Sequence, residues 1–255
     1  MLLRNKKKVL CYVLVFDQVE IIEKCLKFIC KDADRLEIVV IENPSQHTPE
    51  ISKFINKLGK DGLIARYYLF DSNITNNAFK TVFKTELDEI KKRKYILQTD
   101  GDVTSKDKDW LDEELKIMDN NKDVFACGIS LDMSNLPIKA FPEAASWIPE
   151  DINTYDDYYE AVTGTHLLMH RGKEFYKLMQ WAGKNNVHLI DNALHDYSYR
   201  ILKMKYARTK KAKAYHLTWD LYADKNNSYT KYKDKKGFNK LWNHERVDSY
   251  KLTKY

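Results

Sequence analysis

The sequence predicts an α/β fold: a mostly parallel sheet flanked by helices. Two observations carry that prediction. Short apolar runs recur at Val9–Phe16, 36–41, Arg66–Phe70 and 95–99. The segments between them place apolar residues at helical spacing, and the connections are short. Strands that alternate with helices in this way pair in parallel through right-handed crossovers.

The elements follow in order. Val9–Phe16 reads as a buried strand. Asp17, with Glu20 three residues later, reads as a capping box for a helix whose inner face carries Ile21, Ile22, Cys25, Leu26 and Ile29. The strand over 36–41 ends in the loop Glu42-Asn43-Pro44-Ser45, and Thr48-Pro49-Glu50 starts a helix that stops at Gly59. Arg66–Phe70 is a third strand, followed by Asp71-Ser72-Asn73. One helix is predicted over 76–91, buried through Phe79, Val82, Phe83, Leu87 and Ile90. The fourth strand covers 95–99, and all four strands end in polar loops on one rim, where open α/β sheets bind ligands.

Beyond it come a helix over 110–118, a strand at Val124–Leu131 and a loop-rich stretch over 137–159. A strand over 162–170, helices over 172–182 and 191–204, and a short strand over 212–217 complete the pattern. The remainder is rich in Lys, Tyr and Asn and carries an aromatic cluster at Phe238 and Trp242. With no repeat and no Pro/Gly/Ser linker, the chain reads as one domain, 1–218, with a C-terminal extension, 219–255.

Composition is globular, with 44% hydrophobic and 31% charged residues, and 255 residues suffice for a real core. The net charge of +6 is too diffuse to indicate a nucleic-acid partner. It suits an anionic donor, or weak attachment to an acidic membrane surface. Cys11, Cys25, Cys30 and Cys127 form no CxxC pair and read as buried thiols. No apolar stretch is long enough for a signal peptide or a spanning helix, which leads us to expect a cytoplasmic protein, one that touches the inner membrane face at most peripherally.

The fourth strand ends in Asp100-Gly101-Asp102. Two carboxylates separated by a glycine suit a divalent cation carrying a diphosphate, and the bland alternative is an Asp-Gly turn. An EF-hand is excluded: the sixth position from Asp100 is Ser105 and the twelfth is Leu111.

Taken together, the order of motifs resembles nucleotide-sugar glycosyltransferases of the GT-A (Rossmann-like) fold, most closely glycosyltransferase family 2. The resemblance runs over residues 8–218. It rests on Val13-Leu14-Val15-Phe16-Asp17-Gln18, on Glu42-Asn43-Pro44-Ser45 with glutamate where aspartate is usual, and on Asn73-Ile74-Thr75-Asn76-Asn77. Asp100-Gly101-Asp102 matches the DxD motif. Thr163-Gly164-Thr165-His166-Leu167-Leu168-Met169 and Ala214-Tyr215-His216 match later elements.

The resemblance implies that Phe16, Asp17, Glu42, Asn73, Asn77, Asp100 and Gly101 bind a UDP- or GDP-sugar. Asp102 would bind Mn2+ or Mg2+, and His216 would be a further ligand or a phosphate contact, with an exposed strand-end histidine as the other reading. It further implies an inverting transferase acting on a glycan or lipid-linked hydroxyl, with polysaccharide biosynthesis as the setting. The sequence departs from the family in its acidic catalytic motif. Asp191 stands nine positions before Arg200 and Asp196 four before it. Asp191, at the expected helix start, is assigned as the base, with Asp196 as the substitute. An ordinary N-cap and an i, i+4 surface pair are the competing readings of the two.

His166 and His170 share a face of the predicted strand and are expected to line the acceptor pocket. A zinc pair is not expected, because spacing places no third ligand. Trp147, Tyr155, Tyr158 and Tyr159 suit either sugar stacking or packing under their loop, and Lys205, Arg208, Lys210 and Lys211 read either as positive charge near the diphosphate or as a solvated face. Other readings of the chain are a retaining GT-A transferase, a sugar nucleotidyltransferase and a non-catalytic binding module. The nucleotidyltransferase normally has a Gly-rich basic loop after its first strand, and Phe16-Asp17-Gln18 has none.

Overall fold

The computed structural model describes residues 9–185, 191–236 and 249–255. The backbone of 191–193 and 233–236 is included, but their side chains, like the Phe238 and Trp242 cluster, lie outside the described residues.

Eleven strands form one sheet among the described residues. The first four are β1 (Val9–Phe16), β2 (Leu36–Asn43), β3 (Arg66–Phe70) and β4 (Tyr95–Asp100). Then follow β5 (Val103–Ser105), β6 (Val124–Leu131), β7 (Asp151–Thr154), β8 (Tyr158–Ala161), β9 (Leu168–Arg171), β10 (Lys205–His216) and β11 (Tyr250–Lys254). Their order is β11-β3-β2-β1-β4-β9-β6-β10-β8-β7, with β5 paired to the end of β10. β1 to β4 run parallel, and β9 enters antiparallel between β4 and β6.

Both sheet faces are covered, so β1 is apolar at every position. Cys11, Val13 and Val15 point to one core, with α1 (Val19–Ile29), α2 (Thr48–Lys60) and α5 (Trp110–Asn120). Leu10, Tyr12 and Leu14 point to the other, with α3 (Asn77–Thr85), α4 (Leu87–Lys92), α6 (Gly172–Asn185) and α7 (Asp191–Asp196). The two short helices α8 (Thr218–Tyr222) and α9 (Ser228–Lys236) follow β10. Among the described residues no helix is long and apolar enough to cross a membrane.

Several local expectations change in the structure. The capping box does not form: Asp17 takes φ 66 and accepts from the Gln18 amide, and α1 starts at Val19 without a side-chain cap. The helix predicted over 76–91 breaks at Glu86. That buried carboxylate is committed to Arg66 at 2.6 Å and to the hydroxyls of Tyr12 and Tyr68 at 2.7 and 2.8 Å. The helix predicted over 191–204 ends as a π-helical turn over Tyr197–Leu202, closed by Lys203 at φ 55 and by the Ser198 hydroxyl on the Met204 carbonyl. The strand predicted over 162–170 begins only at Leu168, because Leu167 sits in the left-handed region at φ 47 and interrupts the alternation.

β10 is longer than the sequence pattern suggests. Its charge-dense first half is a strand because its cations lie on aromatic rings: Lys205 over Tyr155 at 4.5 Å, and Arg208 and Lys210 over Tyr159 at 5.1 Å. Between Arg208 and Lys213 the register with β6 shifts. The Glu113 carboxylate holds this bulge by accepting the backbone N–H groups of Lys210, Lys211 and Ala212 at 2.9, 3.0 and 2.7 Å. The bulge sets where the end of β10 meets the rim.

β11 closes the other edge, pairing antiparallel along all of β3. Tyr255 follows, its N–H on the Ala65 carbonyl at 3.1 Å and its hydroxyl on Asn56 at 2.6 Å. A Cβ on Gly59 would lie 2.4 Å from the Tyr255 ring, so glycine there makes room for that ring.

Glu114 is fully buried beside Glu113, Cys11 and Cys127, and neither of its carboxylate oxygens has a hydrogen-bond partner among the described residues. Desolvation, with the neighbouring Glu113 charge adding to it, pushes its pKa well above the ordinary 4.5. The group therefore folds as a neutral acid. Its stability contribution is fully present below pH 4.5 and is lost as pH rises toward the raised value. Replacing Glu114 by Met is expected to raise stability at pH 8 by about 1–3 kcal/mol and to flatten that decline, as read by urea unfolding across pH.

Candidate active site

The site begins with a steric constraint on the tip of β4. The Gly101 N–H donates to the Leu14 carbonyl at 2.6 Å, drawing the turn onto β1. A Cβ there would meet the Leu14 oxygen at 2.8 Å and the Val15 side chain at 2.6 Å. Glycine is required by this close approach of two backbones. The flanking carboxylates then diverge to different partners. Asp100 accepts from the Thr165 hydroxyl at 2.9 Å, while its N–H donates to the Thr165 carbonyl at 3.2 Å.

Asp102 faces the end of β10. Its carbonyl accepts the Leu217 N–H at 2.7 Å, and its Oδ2 accepts the Thr218 hydroxyl at 2.7 Å. His216 Nε2 lies 3.8 Å from the same Oδ2. The His166 ring meets His216 edge-on at 4.7 Å, and the Trp219 ring stacks on the His216 ring at 4.7 Å and 7°. The ligating atoms of Asp102, His166 and His216 all lie within 4.8 Å of one another.

This cluster lies on a cleft of about 830 Å³ at the carboxyl rim of the sheet. One wall carries Phe16, Gln18, Asn43, Asn73, Thr75 and Asn76. Another comes from the segment after β10: Trp219, Tyr222, Tyr229 and Tyr232, with Tyr232 against Phe16 at 5.7 Å. Trp147, Glu150 and Arg208 lie on the lining as well. Arg208 is fixed there by an ion pair with Asp151 and by the Tyr159 ring. Its partner across the sheet is Gly128, three residues before Leu131, the partner of Ala214. At about 3.3 Å per residue this puts Arg208 on the order of 10 Å along the sheet from Ala214, which stands two residues before His216.

The residues singled out by sequence fall into three groups. Phe16, Asn73, Asp100, Gly101, Asp102 and His216 line the cleft together. Asp17, Glu42 and Asn77 are not on its lining, where their neighbours Gln18, Asn43 and Asn76 stand. Glu42 is fully buried and takes the Tyr67 hydroxyl, and burial raises its pKa. Asp196 lies off the lining with its side chain 59% exposed, 3.6 Å from Arg200. Asp191 opens α7, and its side chain is outside the described residues.

Three further expectations are corrected or settled by position. His170 does not share the cleft with His166. It is fully buried between Phe125 and Phe175, and burial drives its pKa down to about 3. Of the four aromatics, Trp147 lines the cleft and Tyr158 is buried against Tyr155. Among the four basic residues, Arg208 alone is on the lining. The sequence reading did not group His166 with Asp102 and His216. Spacing offers no signal for it, since the three come from the turn after β4, the loop before β9 and the end of β10.

Solved structures place this architecture. A mannosyltransferase from Pyrobaculum calidifontis, solved with GDP-Man and Mn2+, superposes with a TM-score of 0.54 at 14% identity, over 83% of this chain and 57% of the other. GalNAc-T7, solved with UDP, GalNAc and Mn2+, gives 0.53 at 10% identity, over 82% and 43%. The fold is GT-A.

By sequence, the chain is similar to uncharacterized proteins of Acanthamoeba polyphaga mimivirus. L142 is 44% identical over 234 residues, covering 90% of this chain and 47% of the relative. L137 is 41% identical over 249 residues, covering 96% and 34%. L138 is 41% identical over 253 residues, covering 97% and 28%. The chain thus spans between 28% and 47% of the length of these relatives. No family model matches it.

The close packing at Gly101 yields a test. Gly101→Ala forces β1 and the turn apart, with an expected loss of about 1–3 kcal/mol in stability and a weakened cation response, measured by thermal unfolding with and without Mn2+.

Proposed function

We propose that this chain is a metal-dependent glycosyltransferase that moves a sugar from a nucleoside-diphosphate sugar to an acceptor hydroxyl, with inversion. One observation carries the reading: a carboxylate and two imidazoles converge at the carboxyl end of β4, on a cleft of about 830 Å³ in a GT-A fold. Oxygen and imidazole donors fit a divalent cation such as Mn2+, and Mg2+ is less favoured by the nitrogens. When bound, the cation supplies Lewis-acid stabilisation of charge on the leaving diphosphate.

The chain's own residues do the rest. Asp102, His166 and His216 hold the cation. Asp100, oriented by Thr165, faces the ribose or the donor sugar. Phe16 and Tyr232 wall the nucleoside, with Asn73 and Asn76 beside them. GDP-Man and UDP in the two superposed structures support a GDP- or UDP-sugar here. Trp147, Glu150 and Arg208 form the acceptor end, for a glycan or lipid-linked hydroxyl.

Asp191, at the start of α7, takes the acceptor proton as base. The exposure of Asp196 and its pairing with Arg200 count against it in that role. Glu150 is the other carboxylate on the lining, besides Asp100 and Asp102, among the described residues.

The decisive experiment is donor hydrolysis across a panel of UDP- and GDP-sugars with Mn2+, paired with thermal unfolding. One donor is expected to be hydrolysed slowly, and its nucleotide to raise the melting temperature only when Mn2+ is present. No hydrolysis and no nucleotide response with any metal would leave a binding module. Asp102→Ala is expected to abolish metal-dependent nucleotide binding. Asp191→Asn is expected to keep donor binding and lose transfer by at least 100-fold, on the order of a general base's contribution. Normal turnover by Asp191→Asn together with loss in Glu150→Gln would move the base to Glu150.

A further inference from the structure

The end of the cleft that holds Arg208 is built on three neighbouring strands. Arg208 on β10 pairs with Tyr159 on β8, and β8 pairs with β7, which opens at Asp151. The Tyr159 ring lies 5.1 Å from the guanidinium, and Asp151 accepts from its Nη2. Among the described residues Asp151 is the one hydrogen-bond partner of this side chain, which has five N–H donors. Nε is buried and unpartnered among those residues, so the Nη groups are the donors left for a ligand. The side chain is 13% exposed and lies on the lining. A guanidinium clamped in this way meets a ligand without the entropy cost of ordering a long side chain.

Trp147 stands on the same lining. It ends the helical turn over Pro142–Trp147 and is 36% exposed. Its ring leans on Trp219 at 6.3 Å and 31°, and Trp219 stacks on His216 at 4.7 Å. Two ring contacts therefore lead from the Asp102, His166 and His216 cluster to a partly open indole. An indole face suits the C–H groups of a pyranose ring, and charged groups at its edge suit the hydroxyls. Glu150 supplies the second such group. It lies on the lining and has no ion-pair partner among the described residues. A carboxylate accepts and a guanidinium donates, so the pair serves both roles of a hydroxyl.

Charge narrows the ligand further. Among the described residues the lining carries three carboxylates, Asp100, Asp102 and Glu150, and one guanidinium, Arg208, which Asp151 already pairs. Lys210 shares the Tyr159 ring but is off the lining. An anionic group brought beside Glu150 meets repulsion and finds no cation to spare.

We propose that the acceptor is an uncharged pyranoside, the sugar end of a glycan, stacked on Trp147 and held by Arg208 and Glu150, and that Glu150 excludes acidic sugars and lipid phosphates. As an acceptor site it rests on the transferase reading of the cleft; as a sugar site it is measurable by binding alone.

The test uses the whole chain with Mn2+, with and without UDP or GDP, against an array of neutral and uronic-acid saccharides, followed by affinities from ligand-observed NMR. Neutral pyranosides are expected to bind, and their uronic-acid counterparts to bind about tenfold more weakly. Trp147→Ala is expected to weaken binding about tenfold, and Trp147→Phe to recover part of it. Arg208→Gln is expected to cost about tenfold as well, with Arg208→Lys, which keeps the charge and loses the fork, short of full recovery. Glu150→Gln is expected to close most of the gap between neutral and acidic sugars. Melting temperatures without sugar check that each variant folds. Ile148 on the same lining is 48% exposed, so dodecyl phosphate in phosphatidylcholine vesicles serves as the lipid probe.

Preference for dodecyl phosphate or for uronic acids would overturn the proposal. So would the absence of saccharide binding in a chain whose nucleotide response to Mn2+ is intact, and in that case the donor-site reading stands. Saccharide binding without donor hydrolysis or nucleotide response would keep the sugar site and defeat the transferase reading. Wild-type affinity in folded Trp147→Ala and Arg208→Gln would place the sugar elsewhere. An unchanged gap in Glu150→Gln would remove the role given to that carboxylate.

Discussion

The structure of the rim depends on one contact: the acidic tip of β4 pinned between β1 and the end of β10. Gly101 lets the tip lie against the Leu14 carbonyl, and the Asp102 main chain and side chain are both taken up by Leu217 and Thr218. The bulge in β10 is what brings those residues to the rim, and Glu113 on α5 is what holds the bulge. A buried-face helix thus sets the position of a cleft residue through three backbone N–H groups. The helix also carries the neutral Glu114, so one turn contributes a well-satisfied carboxylate and an unsatisfied one.

The second wall of the cleft is built late in the chain. Trp219, Tyr222, Tyr229 and Tyr232 follow β10 and complete an aromatic surface begun by Phe16. The cleft is therefore polar on the side of β2 and β3, charged at its centre and aromatic opposite. Such a distribution suits a ligand with a flat base, a charged middle and a hydroxylated end.

The parallel half of the sheet was legible in the sequence because its strands are buried on both faces and read as unbroken apolar runs. The acidic tip was legible for the same reason, as an abrupt end to one such run. The rest was hidden by interactions that cross the sequence. The break at Glu86 answers Arg66, Tyr12 and Tyr68, which lie on other elements. The charged half of β10 reads as a solvated surface until Tyr155 and Tyr159 are laid beneath it. His166 and His170 part company because one left-handed residue, Leu167, resets the alternation between them. The shift from Glu42 to Asn43 is the same lesson at one-residue scale, since period-2 alternation sends neighbours to opposite faces.

The way β11 covers β3 has a consequence for how the molecule behaves in company. Without that strand, β3 would present a free ladder of amide and carbonyl groups beside Tyr67, Tyr68 and Phe70, an open template for another chain's strand. A segment distant in sequence thus works as a chaperone in cis, and clipping it would favour self-association over any change at the opposite end of the sheet.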